Sequence, residues 1–238
     1  MQSSQAALAL LTVTMALAAS PASAKGQLQT RPTLVEMPPS SAATRFILAN
    51  SGDAPVAAQI SVFAWTQKGG EDQLLATHDV VVSPPIAQVA PGSEQVVRII
   101  RQGTAVSVDD RAYRLVVEEL PSSKRDPTTA ISVRLRYVIP LFLRAAGASA
   151  PSVSCRLSAN VLTCLNKGGQ PAQLGKSTLS DGNGHSLPLS EGLFGYVLPL
   201  GERRWIVSDV RINSFSNNLR LDSQINGQPV TLPVTRSP

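Results

Sequence analysis

Apolar and polar positions alternate in short runs along most of this chain, and helical periodicity is hard to find anywhere after residue 24. Runs rich in Val, Ile, Leu and Thr predict strands over Gln27–Val35, Thr44–Asn50, Val56–Thr66, Leu74–Val82, Glu94–Ile100, Arg111–Leu120 and Ala130–Leu143. Turn signals separate them: Pro38-Pro39-Ser40-Ser41, Asn50-Ser51-Gly52-Asp53, Gly69-Gly70, Pro84-Pro85, Pro91-Gly92 and Pro121-Ser122-Ser123. Seven short strands in about 115 residues match the size of an immunoglobulin-like sandwich. Ala145 to Pro151, made only of Ala, Gly, Ser and Pro, reads as a linker. Beyond it, strands are expected over Val153–Leu157, Val161–Asn166, Gln173–Thr178, Gly195–Leu198, Arg204–Ile212, Leu219–Ile225 and Val230–Val234. The fold class is therefore all-β, with one sandwich over residues 25–147 and a smaller one over 148–238.

The strand over Ile131–Ile139 is unusual. Ile131, Val133, Leu135, Tyr137 and Ile139 share one face, against Ser132, Arg134, Arg136 and Val138 on the other. An ordinary sandwich would bury such a face in its own core. This strand is long for a globular one and lies beside the domain boundary, where a bare apolar edge invites aggregation unless a partner strand covers it. Burial of the five side chains by a partner would contribute on the order of 8 to 15 kcal/mol before ordering costs.

Composition fits this picture and narrows the function. With 43% hydrophobic and 16% charged residues in 238, the chain can bury two cores, and 16 glycines and 18 prolines punctuate it without disordering it. Net charge is only +5, aromatics are 4%, and the arginines are scattered, which argues against nucleic-acid binding. Residues 1–24 carry no charged side chain, with an apolar run from Ala6 to Ala19 and then Ala22-Ser23-Ala24 before Lys25. That pattern predicts a secretory signal peptide over 1–24; a plain disordered leader is the alternative. The missing basic residue near Met1 leaves the true start codon open. Fourteen residues are fewer than the 20 or so of a spanning helix, so no membrane insertion is expected.

Export permits a disulfide, and Cys155 and Cys164 have suitable spacing. Antiparallel pairing around Ala159-Asn160 sets Ser158 against Val161, Leu157 against Leu162, Arg156 against Thr163 and Cys155 against Cys164. The cysteines would then occupy a close, non-hydrogen-bonded pair suited to a bridge. Ala-Asn is a poor dipeptide for such a turn, and two buried thiols remain the alternative.

Taken in order, several segments resemble the periplasmic pilus-assembly chaperones of the chaperone/usher pathway. They are Ala49-Asn50-Ser51-Gly52, Trp65, Ser83-Pro84-Pro85-Ile86, Pro91-Gly92-Ser93-Glu94-Gln95-Val96-Val97-Arg98, the run Tyr113 to Pro121, and Tyr137-Val138-Ile139-Pro140-Leu141-Phe142. Asn166-Lys167-Gly168-Gly169, Gly195-Tyr196-Val197-Leu198-Pro199 and Trp205 look like the second domain of the archaic (alternative) branch.

The resemblance implies a boomerang of two immunoglobulin-like domains in the periplasm. It implies pilus subunits as partners, completed by donor-strand complementation through Ile131, Val133, Leu135, Tyr137 and Ile139, and delivered to an outer-membrane usher. It leaves open which subunits and usher are served, and whether the unloaded chain self-associates. The family's usual carboxylate-gripping Arg and Lys fall on Leu34 and Pro140, neither of which binds a carboxylate. Pro140 also removes a backbone donor, so the lending segment should stop near Ile139. Arg114 is the candidate anchor in their place, with Arg134 and Arg136 as helpers, against the alternative that all three are solvated strand residues. Glu119 and Arg144 match positions of an interdomain ion pair, which Asp222 could join; exposed charges are the alternative.

Enzyme chemistry finds no constellation. His78 and His185 stand far apart with no metal-type ligands beside them, so no metal site or other cofactor is expected. No G-x-S-x-G, Walker loop or H-E-x-x-H occurs, and Gly182-Asn183-Gly184-His185 reads as a turn. Glu118 and Glu119 are consecutive on a strand and face opposite ways. A secreted structural protein or adhesin of two tandem sandwiches is the competing reading. A glycan-processing enzyme is disfavoured by the few aromatics and the lack of a carboxylate pair.

Overall fold

The computed structural model describes residues 27–103, 107–121 and 133–237. The first lobe contains ten strands: β1 (Leu28–Arg31), β2 (Val35–Met37), β3 (Ala43–Asn50), β4 (Val56–Lys68), β5 (Glu71–Ala76), β6 (Val80–Ser83), β7 (Ile86–Val89), β8 (Glu94–Arg101), β9 (Arg111–Glu119) and β10 (Arg136–Leu143). They form a four-stranded sheet in the order β1-β3-β8-β6, and a six-stranded sheet in the order β2-β10-β9-β4-β5, with β7 also on β4. Alternation fixes the core between them. Phe46, Leu48, Val97 and Ile99 from one sheet meet Ile60, Leu115, Val117 and Leu141 from the other, all buried.

Four differences from the predicted strands have local causes. The stretch from Gln27 to Val35 breaks after Arg31, where Pro32 lacks a ladder donor. Leu74–Val82 is two strands separated at Thr77–Asp79, and the Thr77 hydroxyl accepts a hydrogen bond from the Asp79 amide at 3.1 Å. β7 lies between Pro85 and Pro91-Gly92, punctuation that hides four residues of strand. The strand expected from Ala130 begins only at Arg136, and Ile131 lies outside the described residues.

The second lobe comprises β11 (Val153–Ser158), β12 (Val161–Asn166), β13 (Ala172–Asp181), β14 (Ser186–Ser190), β15 (Gly195–Val197), β16 (Glu202–Ile206), a short 3-10 turn (Val210–Ser214), β17 (Leu219–Ile225) and β18 (Gln228–Ser237). Its strands are hydrogen-bonded into one eight-stranded sheet, β14-β13-β17-β18-β11-β12-β16, with β15 on β13. Register shifts within β13 bend the sheet around Leu157, Leu162, Leu174, Leu179 and Leu221. Phe194, just before β15, stacks on Trp205 of β16 at 4.5 Å.

The β11–β12 hairpin has the expected register, and Cys155 and Cys164 are disulfide-bonded with Cα atoms 4.1 Å apart. Ala159 adopts φ +48, the left-handed conformation its place in the tight turn demands. Among the described residues no helix is long and apolar enough to cross a membrane, and no cluster of His, Cys, Asp or Glu could hold a metal ion.

Candidate partner-binding edge and cleft

β10 is paired on one side only along most of its length. β9 runs antiparallel to it from Arg136↔Glu118 to Leu143↔Arg111, whereas β2 covers its other side only at Leu141, Phe142 and Leu143. Among the described residues, no strand lies against that outer side from Arg136 to Ile139. The Glu119 amide donates to the Leu135 carbonyl at 2.9 Å, which sets the phase of the ladder. Odd-numbered residues of β10 direct their backbone groups to β9, and Arg136, Val138 and Pro140 direct theirs outward. The open edge therefore offers amides and carbonyls at Arg136 and Val138, whereas Pro140 has no amide to offer and its carbonyl lies where the parallel pairing with β2 begins.

The five apolar side chains expected on this strand do not share one fate. Val133 is 76% exposed and Leu135 half-buried, both just before β10 begins. Tyr137 packs partly against the first core and donates its hydroxyl proton to the Leu28 carbonyl at 2.5 Å. Ile139 is only 4% exposed and belongs to that core. The expectation that the whole ribbon is left free is thus corrected, because the sandwich needs the inward face of β10 to close its own interior. The apolar surface remaining for a partner lies at the N-terminal end, and for two such side chains burial is worth about 3 to 6 kcal/mol.

Where β10 passes beneath the second lobe, aromatic side chains converge. Trp65 of β4, Phe142 of β10, and Tyr196 and Leu198 of the β15 region form a buried cluster, with Leu34 and Ala112 packed against it. Trp65 lies 5.3 Å from Tyr196, edge to face, and 6.0 Å from Phe142. Gln67 ties the lobes together, its side-chain amide donating to the Tyr196 carbonyl at 2.8 Å and its oxygen accepting from the Leu198 amide at 3.0 Å. The indole Nε1 of Trp65 is buried without an acceptor among the described residues.

Arg114 sits in this junction. It lies directly across from Pro140, and its guanidinium carbon is 3.5 Å from the Trp65 ring centroid and 5.7 Å from that of Tyr196. Among the described residues no carboxylate pairs with it. Burial lowers its pKa, opposed by the charge of Asp72 and by Tyr196. Burial likewise raises the Tyr196 phenol, against the charge of Arg114. A half-buried guanidinium stacked on an indole, with no carboxylate paired to it among the described residues, is suited to take up an incoming carboxylate. It is also adjacent to both positions where the family's gripping pair is missing, since Pro140 is its cross-strand neighbour and Leu34 packs on the same aromatic cluster.

The other charged candidates are not gathered here. Arg136 pairs with Glu118 at 2.9 Å, four residues along the ladder from Arg114, which is about 13 Å. Arg134 is exposed beyond the strand end. Neither helps Arg114 hold a single carboxylate, which corrects that expectation. The expected Glu119–Arg144 pair is corrected as well. The antiparallel register sets Glu119 opposite Leu135, on the order of 30 Å along β10 from Arg144. Instead, Glu119 accepts from the Leu135 amide at 3.3 Å, while Arg144 bonds the buried Asp110 and, at 2.5 Å, Glu36. Asp222 accepts from Thr231 at 2.6 Å within the second lobe.

Sequence reading missed Trp65, Phe142, Tyr196 and Gln67 as one junction, because their contacts span about 50 to 130 residues. The signal available was that all three aromatic residues of this junction, Trp65, Phe142 and Tyr196, fall inside the segments that carried the resemblance.

A family model described as the pili and flagellar-assembly chaperone, PapD N-terminal domain, matches residues 27–149. No curated protein matches the sequence at a significant level. Among solved structures, a chain from the CsuC–CsuE chaperone–tip adhesion subunit pre-assembly complex of the archaic chaperone-usher Csu pili of Acinetobacter baumannii is 21% identical. The match covers 89% of this chain and 100% of that one, with a TM-score of 0.70. A chain from the Salmonella enterica SafA pilin–SafB chaperone complex is 13% identical, with coverage of 88% and 96% and a TM-score of 0.62. The E. coli chaperone DraB is 17% identical, with coverage of 88% and 97% and a TM-score of 0.58. At these identities the structures speak for the fold: two immunoglobulin-like β-sandwich domains.

Proposed function

We propose, for a chain that belongs to the pili and flagellar-assembly chaperone family, that it captures pilus subunits by lending them the open edge of β10. The family is not enzymatic, so its task is binding. The observation that carries the reading is the outer side of β10 from Arg136 to Ile139, which no described strand covers, next to the half-buried Arg114, which has no carboxylate paired to it among the described residues. An incomplete sandwich laid on this edge would gain main-chain hydrogen bonds from Arg136 and Val138 and apolar contact from Val133 and Leu135. Its terminal carboxylate would find Arg114, with the unpartnered Trp65 Nε1 as a nearby donor. Delivery to an outer-membrane usher is the further step in this reading, and the apolar, uncharged residues 1–24 support export to the periplasm.

The test is co-expression with a cognate pilus subunit and isolation of the binary complex from periplasmic extract. Arg114→Ala is expected to abolish capture while circular dichroism shows the fold retained, with only the modest loss of thermal stability that follows from removing its stacking on Trp65. Leu135→Glu is expected to weaken capture at least tenfold. Capture unaffected by either substitution overturns the assignment. Retention of the loaded complex, but not the free chain, on usher-containing membranes tests delivery.

A further inference from the structure

On the opposite layer of the first lobe, Arg45 of β3 and Arg98 of β8 are direct cross-strand partners. Their neighbours Phe46 and Val97 are fully buried, so both arginines point away from the core into solvent. Like charges directly opposite on a sheet repel. Elsewhere on these strands the basic residues are neutralised or bonded: Arg31 pairs with Glu94, and Arg101 donates to the carbonyls of Pro38 and Pro39, each at 3.3 Å. Arg45 and Arg98 have no carboxylate among the described residues. They line a depression of about 840 Å³ whose other walls are Ala43, Thr44, Ser83, Pro84 and Val96, the last 44% exposed.

We infer that this depression is a docking site for an acidic, extended segment of a partner polypeptide. Two arginines directly opposed across the ladder, with Cβ atoms about 5 Å apart and long, flexible side chains, can reach two carboxylates on one face of an extended segment, whose alternate side chains stand about 7 Å apart. The apolar wall made by Ala43, Pro84 and Val96 favours a peptide carrying aliphatic residues between its acids over a bare anion. The site belongs to the four-stranded sheet, whereas the open edge of β10 belongs to the six-stranded one, so both can be occupied at once.

The experiment titrates the ¹⁵N-labelled chain with acetyl-Val-Glu-Val-Glu-Val-amide. Saturable shifts are expected at the amides of Thr44, Arg45, Arg98 and Ile99. Affinity should fall at least tenfold for the Val-Gln-Val-Gln-Val counterpart and for the Arg45→Ala/Arg98→Ala double variant. Both side chains are exposed, so that variant should keep its thermal midpoint; Arg45→Gln/Arg98→Gln serves if it does not. Inorganic phosphate at equal concentration should shift these amides weakly. No saturable shift, equal binding of the glutamine peptide, unchanged affinity in the variants, or phosphate binding as tightly as the peptide would each overturn the inference. None of these outcomes depends on whether β10 captures a subunit.

Discussion

Asp181 shows how one side chain can tie together a loop-rich end of a β domain. Burial pushes its carboxyl up, but the His185 ring and the backbone amides of Ser216, His185 and Asn183 all bond the ionised form, and the balance lies well below the usual carboxylate range. A carboxyl whose folded pKa is depressed adds stability that is present above its unfolded value near 4 and is lost as pH falls toward the folded one. The second lobe is therefore expected to lose stability below about pH 4 in the native chain, and Asp181→Asn should flatten that acid limb while lowering stability at pH 7. Thermal unfolding followed from pH 2 to 7 checks both; parallel acid limbs for the two proteins would reject the role. In sequence, Gly182-Asn183-Gly184-His185 was legible as a turn, but the carboxylate at its base was not, because Ser216 approaches from 35 residues away.

At the scale of single strands, the division of β10 into a committed inner face and an open backbone edge makes a sharp prediction. The Val138 amide points outward and serves no bond within the sheet, whereas that of Ile139 faces β9. Val138→Pro should leave the fold intact and remove a donor needed by a partner strand, lowering capture at least tenfold. Ile139→Pro should destabilise the lobe by roughly 3 kcal/mol or more. Equal unfolding midpoints for the two variants would refute the ladder phase. Period-two alternation made Ile131, Val133, Leu135, Tyr137 and Ile139 stand out, yet alternation reports only that a face is buried, not by what. Tyr137 and Ile139 turned out to be closing their own sandwich. Likewise the cysteine hairpin could be registered residue by residue because both strands are local, whereas Glu119 and Arg144 could be placed only once the long pairing of β9 with β10 was known.

For the molecule as a whole, the junction built by Trp65, Phe142, Tyr196 and Leu198 packs the two lobes together around Arg114. Polar ties reinforce it: the Arg204 amide donates to the Gly70 carbonyl at 2.9 Å and Arg203 to the same carbonyl at 2.7 Å, while the Asp110 amide donates to Gly169 at 2.8 Å. Tyr196→Ala removes the ring that touches both Trp65 and Phe142, at an expected cost of about 3 kcal/mol. Calorimetry should then resolve two unfolding transitions, one per lobe, and a single unshifted transition would count against the coupling. The short pairing of β2 with Leu141, Phe142 and Leu143 has a further effect at this scale. If a partner strand binds as proposed, β2 would put a wall at one end of its berth, and the visitor would go no further than that strand. Alignment would then be decided by a doorstop as well as by matching side chains, and one berth could receive visitors of differing sequence in the same position.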